Sequence, residues 1–122
     1  MTEPQSFCMA GWVPAAVANG SYGHWSTHQR KLRGAQVHTT VCAREAGIRP
    51  VAGRARVVIT LTFPNHRRRD TDNLYARCKG VIDGLVRGGY IEDDDTDRLD
   101  LVVKGVVCTG YTSTLIELEP AA

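Results

Sequence analysis

Asp70-Thr71-Asp72-Asn73 sets two carboxylates two residues apart where a basic loop gives way to a helix. An aspartate just before a helix can be an N-cap, accepting backbone N–H groups that lack partners in the first turn. A cap needs only one carboxylate, and a second beside it is repelled unless a cation lies between them. On a helical wheel Lys79 and Asp83 flank Asp72 by about 20° on either side, opposite the apolar stripe. Glu92-Asp93-Asp94-Asp95 follows the helix and leads into a strand, so tertiary packing can return an acid to the helix start. Oxygen-only ligands of this kind suit magnesium, with manganese as a substitute, because both ions retain waters and take a few carboxylates plus substrate phosphate. Such a site stabilises charge on a phosphate, lowers the pKa of an attacking water and helps the leaving oxygen depart. Lys79 would add a fixed positive charge against the pentavalent transition state; equally, it is an exposed helix lysine paired with Asp83 at i+4.

Other readings of the acids fail on spacing. Asp93-x-Asp95-x-Asp97 has the start of a calcium loop, but Arg98 stands where the turn glycine belongs and Lys104 where the bidentate glutamate belongs. An aspartate-nucleophile phosphotransferase would have its first aspartate directly after a buried strand, whereas His66-Arg67-Arg68-Arg69 intervenes. His24 and His28 are four apart, without a third ligand or an H-E-x-x-H pattern for zinc. Cys8, Cys42, Cys78 and Cys108 include no C-x-x-C pair and read as reduced, mostly buried thiols.

Arg67, Arg68 and Arg69 abut the first aspartate, where they suit a polyanion that must approach carboxylates against repulsion; the other reading is a counter-charge for the acids. Arg30, Lys31 and Arg33, with Tyr22, His24 and Trp25 upstream, form a second basic region interleaved with rings that can stack on nucleic-acid bases. Trp25 itself reads first as a core anchor for the first helix.

The elements that must hold these groups are legible from periodicity. Ser6 to Trp12 reads as a short strand, Val13 to Gly23 as a loop with a turn at Asn19-Gly20, and Trp25 to Ala46 as a helix stopped by Gly47. Val57, Ile59, Leu61 and Phe63 alternate on one face of a strand from Arg54 to Phe63, ended by Pro64. Leu74, Cys78, Val81, Ile82 and Leu85 give the apolar stripe of a helix from about Asp72 to Arg87, which Gly88-Gly89 terminates. Leu99 to Cys108 and Tyr111 to Glu119 read as strands joined in a hairpin at Thr109-Gly110. The order strand, helix, strand, helix, strand, strand predicts an α+β fold: one compact domain over residues 1–122, with a mixed sheet packed against two helices.

Length and composition agree. A chain of 122 residues with 43% hydrophobic content suits one core. The acid in Met1-Thr2-Glu3-Pro4-Gln5 and the lack of an apolar stretch after it argue against a signal peptide. The apolar run Val57 to Leu61 is far short of the roughly 20 residues of a membrane span, so a soluble cytoplasmic protein with no membrane partner is expected. The net charge of +2 hides an asymmetry: residues 1–69 carry ten Lys/Arg against two acids, and residues 70–122 carry five against eleven. That distribution suits one surface attracting phosphate and another concentrating carboxylates, or simply two interleaved, solvated halves.

Arg67-Arg68-Arg69-Asp70-Thr71-Asp72-Asn73-Leu74, Lys79, Asp83-Gly84-Leu85, Gly89-Tyr90-Ile91 and Asp93-Asp94 together resemble RusA-like crossover-junction endodeoxyribonucleases, strongly over residues 65–104. The segment around His24-Trp25 and the basic helix after it is similar to the N-terminal half of phage-type members. The resemblance implies a RusA-like fold and a symmetric homodimer that binds four-way DNA junctions and uses magnesium to nick opposing strands. Carried over, Asp70 and Asp72 are the first two metal-site aspartates and Asp94 the third, aligned by counting back from the acidic pair to the Gly-aromatic element, with Asp93 the alternative. Lys79 matches the catalytic lysine. In the founding bacterial resolvase that lysine lies about one turn nearer the second aspartate, and positions i+4 and i+7 share a helix face. DNA contacts fall to Arg67, Arg68, Arg69, His24, Arg30 and Lys31. A phage or prophage origin, with action in the host cytoplasm, fits the phage-type likeness. The competing classes are a non-catalytic DNA-binding or replication-accessory module that keeps the fold, and a metal-binding structural protein.

Overall fold

The computed structural model describes residues 3–16 and 25–121, with side chains of the first helix described from His28 onward. The expectations for Tyr22, His24 and the Asn19-Gly20 turn, and for the side chain of Trp25, fall outside the described residues.

Strand β2 (Ala55–Phe63) is the centre of the sheet. Its odd-numbered residues Ala55, Val57, Ile59, Leu61 and Phe63 are all buried, as the alternation predicts. Full burial of Ile59 or Leu61 contributes about 1.5–3 kcal/mol each. Strands β1 (Gln5–Ala10), β3 (Leu99–Val107) and β4 (Ser113–Pro120) complete a four-stranded sheet in the order β1-β4-β2-β3. β2 pairs antiparallel with β4 and parallel with β3, so the sheet is mixed. Phe7 and Met9 of β1 and Ile116 and Leu118 of β4 join the β2 residues in one core, closed by the helices.

The hairpin expected at Thr109-Gly110 is not formed. β3 and β4 lie on opposite sides of β2, and residues 108–112 step across its end: Cys108 N–H donates to Phe63 O (2.9 Å) and Gly110 N–H to Pro64 O (3.2 Å). Adjacent strands are about 4.8 Å apart, so stepping over one strand needs more chain than a two-residue turn provides. A glycine in the connection has the same local signature in either case; here Gly110 has φ +75°.

The helix α1 (Trp25–Glu45) ends as predicted, with Gly47 at φ +71° and Gly47 N–H bonded to Arg44 O. The second predicted helix is two. α2 (Thr71–Arg77) and α3 (Lys79–Arg87) meet at Cys78, whose φ −86° and ψ 1° leave the helical region. No proline causes the break; the two segments pack on different partners. Leu74 of α2 lies against Gly105 of β3, whereas Gly80 and Gly84 of α3 close onto Leu32, Ala35, Gln36 and Thr39 of α1. Thr40 Oγ1 stands 2.8 Å from Gln36 O and 3.1 Å from Gly84 O, tying the two helices together. The predicted apolar stripe holds throughout, since Leu74, Cys78, Val81, Ile82 and Leu85 are buried. Among the described side chains of α1 the buried positions are Ala35, Thr39 and Ala43, while Ala46, just after the helix, is exposed.

Of the four free cysteines only Cys78 is fully buried, and burial pushes its thiol up to about 12; Cys8 and Cys108 are exposed, against the expectation of mostly buried thiols. Among the described residues no helix is long and apolar enough to cross a membrane.

Candidate functional site

The chain enters α2 through the arginine loop. Asp70 occupies the N-cap position with extended backbone (φ −74°, ψ 145°), and its carbonyl accepts Leu74 N–H at 3.1 Å. Its side chain makes no capping bond. Instead the carboxylate, 64% exposed, meets Arg68 Nε at 3.3 Å. Asp72 Oδ1 accepts the neighbouring Asn73 N–H (3.0 Å), and Asn73 Oδ1 is buried without a partner. Both aspartates therefore present oxygen to solvent at the helix start, with no cap hydrogen bond to occupy Asp70.

Lys79 and Asp94 come together elsewhere. They line a surface pocket of about 410 Å³, open mouth included, with Asp83 above an apolar floor of Tyr75, Ile82, Leu99 and Leu101. Lys79 Nζ lies 3.7 Å from Asp83 Oδ2, the i,i+4 pair, and Gln36 Nε2 reaches the same oxygen at 3.5 Å. The break at Cys78 separates Asp72 from this pair, so the expected ladder of Asp72, Lys79 and Asp83 on one helix does not form. Asp70 and Asp72 do not line the pocket.

The acidic segment divides its labour. Asp93 Oδ1 accepts Asp94 N–H at 2.7 Å, leaving the Asp94 side chain at the pocket. Asp95 is structural: Oδ1 accepts the N–H groups of Asp97 and Arg98, and Oδ2 pairs with Arg98 Nη1 at 2.9 Å. That hydrogen bond is the first cause holding the Arg98 guanidinium above its ordinary pKa. Glu92 accepts Gly53 N–H and lies 3.8 Å from Arg98, fastening the segment to the approach of β2. Asp94→Asn is therefore expected to leave the melting temperature unchanged. Asp95→Ala should melt earlier, because the turn loses its acceptor. Thermal melts of the two variants check the split.

The three arginines are not equivalent. Arg67 is exposed and its side chain has no hydrogen bond or ion pair among the described residues, while Arg68 pairs with Asp70. Arg69 is committed to its own loop: Nη1 donates to Asn65 O and Arg67 O, Nη2 to Asn65 Oδ1, and the guanidinium lies 3.8 Å from the Phe63 ring centroid. Arg30 and Lys31 are exposed on α1, and Lys31 borders a second cavity beside Arg77.

Among the described residues no three carboxylate, histidine or cysteine side chains are gathered closely enough to hold a metal ion. The Asp70 and Asp72 pair has donors suited to a hard cation that keeps several waters, whereas Asp94 stands with Lys79. Sequence reasoning missed Asp83 as a pocket residue, and it missed Arg77, which is half-buried over Phe63 at 5.2 Å. The signal for Arg77 was faint: a lone arginine just before the buried Cys78.

Sequence comparison bears out the resemblance carried by the Asp-x-Asp at a helix start and the adjoining arginine run. Over 57 residues the chain is 37% identical to the crossover junction endodeoxyribonuclease rusA of Enterobacteria phage HK97, covering 47% of this chain and 45% of that protein. The match thus spans less than half the length of the relative. No protein-family model matches the chain.

Proposed function

We propose that the protein is a structure-selective endodeoxyribonuclease that resolves four-way DNA junctions by paired nicks, acting as a homodimer with magnesium. The observation that carries the proposal is Asp70: it stands at an N-cap without capping, exposed beside Asp72 and an arginine loop, in a chain similar to a crossover junction endodeoxyribonuclease. Repelling phosphate with two aspartates gains a pure binding module nothing.

In this reading Asp70 and Asp72 would hold magnesium, for which manganese can substitute, and it is the resemblance that makes Asp94, which lines the separate Lys79 pocket, the third carboxylate. When bound there, the ion would supply Lewis-acid stabilisation of charge at the scissile phosphate and acidify an attacking water. Lys79, with its ammonium held by Asp83, contributes positive charge on the Asp94 side. Arg67 and Arg68 draw the DNA backbone toward carboxylates that would otherwise repel it, with Arg30, Lys31 and His24 as further contacts.

Removing one arginine from a phosphate flattens the slope of log affinity against log salt by roughly 0.9. Arg67→Gln with Arg68→Gln is expected to reduce the slope for a four-way junction by about 2. Arg69→Gln should change the slope less and melt earlier, because it releases Asn65 and uncovers Phe63. An unchanged slope in the double variant would contradict the clamp. Sedimentation of the protein with and without junction tests the dimer, and comparison with a linear duplex of equal length tests structure selectivity.

A further inference from the structure

A second cavity, about 320 Å³ with its open mouth, lies where Pro14, Ala15 and Ala16 pass over α1 and the junction of α2 and α3. Its polar lining is basic: His28 and Lys31 from α1, and Arg77 from the end of α2. Among the described residues no carboxylate lines it, and neither Lys31 nor Arg77 has an ion pair. Arg77 gives Nη1 to Pro14 O at 3.2 Å, while its buried Nε has no partner. The edge of the guanidinium left without an acceptor is thus the one formed by Nε and Nη2, the fork that takes two oxygens of one phosphate. An unmade bond on a buried charged donor is costly, so the guanidinium is left short of an acceptor. Burial, then the neighbouring Arg69, lowers the Arg77 pKa.

We propose that this cavity is a phosphate subsite, in which Arg77 and Lys31 together hold one backbone phosphate of the bound DNA strand. The proposal rests on DNA being the ligand of the neighbouring aspartates. It makes Arg77, at the far end of α2 from Asp70 and Asp72, a positioning residue for the strand that crosses them.

The test uses the full-length protein without divalent metal, so that binding alone is read. A four-way junction is prepared with a single neutral methylphosphonate moved stepwise along one arm. For the wild type, one position should weaken binding by about tenfold. For Lys31→Gln and for Arg77→Gln that same substitution should cost clearly less than in the wild type, since one of the two partners is already gone, and in the double variant it should cost nothing further; Arg77→Lys should keep most of the penalty. Additive losses in both variants would overturn the subsite. So would a pattern in which Arg77→Gln only melts earlier, and Lys31→Gln, an exposed change, guards against misfolding. Inorganic phosphate at constant ionic strength separates the sources: raising the wild-type melting temperature, but not that of the variants, with no sensitive position on the DNA would mean a site for free phosphate and would refute the strand contact. Because cleavage is not measured, failure of the nuclease reading leaves this result interpretable, and failure here leaves that reading standing.

Discussion

Asp70→Asn and Asp72→Asn are each expected to abolish junction cleavage while binding stays within a few-fold of wild type. Removing an outer-shell partner of a metal ligand typically costs about 10–100-fold, and losing the ligand itself should cost more. Binding should hold because the substitution also removes negative charge that repels phosphate. Asp70 is the sharper case. Its side chain caps nothing and is largely exposed, so Asn in its place disturbs only the contact with Arg68. An exposed pair of that kind is worth about 0–1 kcal/mol, too little to confuse a loss of activity with a loss of fold. Cleavage rates in magnesium and junction affinity in chelator, measured on the same preparations, decide it. Retained cleavage in both variants would remove the aspartates from the site.

The largest effect on stability is expected at Gly84. In a solvent-facing helix, Gly→Ala gains about 1 kcal/mol in helix propensity. At Gly84 the new Cβ would stand 2.7 Å from Gln36 O and 3.1 Å from Gln36 Cα. Those atoms are backbone, and Thr40 ties the Gln36 and Gly84 carbonyls together, so α1 and α3 must move apart. Overpacking costs about 1–3 kcal/mol, occasionally more, and a rigid backbone contact belongs at the upper end. Gly84→Ala is therefore expected to lower the melting temperature by on the order of 5–10 °C. Gly34→Ala is the control, because a Cβ there meets nothing within 4 Å on the exposed side of α1. It should melt later. If both variants shift the same way, propensity rather than helix contact governs these positions.

The contrast between these glycines shows what the sequence could carry. Alternation in β2 and the stripe from Leu74 to Leu85 were legible because each element buries one face, and burial selects residue type at every repeat. Sheet order was not. Thr109-Gly110 has the local chemistry of a hairpin, but whether the chain reverses beside β3 or steps across β2 depends on pairing with a strand almost fifty residues earlier. The break at Cys78 was hidden for the same reason, since nothing local interrupts the periodicity and the two segments answer to different partners, Gly105 and α1. In the site, the residue types were readable and their division was not. Asp93, Asp94 and Asp95 look alike in sequence, yet one carboxylate is held by the backbone, one faces the pocket and one fastens Arg98. The adjacent arginines likewise read as three equal clamps until Arg69 is seen locked onto Phe63 and Asn65.

The central claim is catalysis on branched DNA, and the most direct measurement is cleavage of a synthetic four-way junction by the purified protein. Each strand is labelled in turn, in magnesium and in chelator, beside a linear duplex of the same sequence. Nicks in opposing strands of the junction are expected to appear with magnesium, disappear with chelator, be lost in Asp70→Asn, and be absent from the duplex. Binding to the junction without any magnesium-dependent nick would contradict that claim and leave the protein a DNA-binding module.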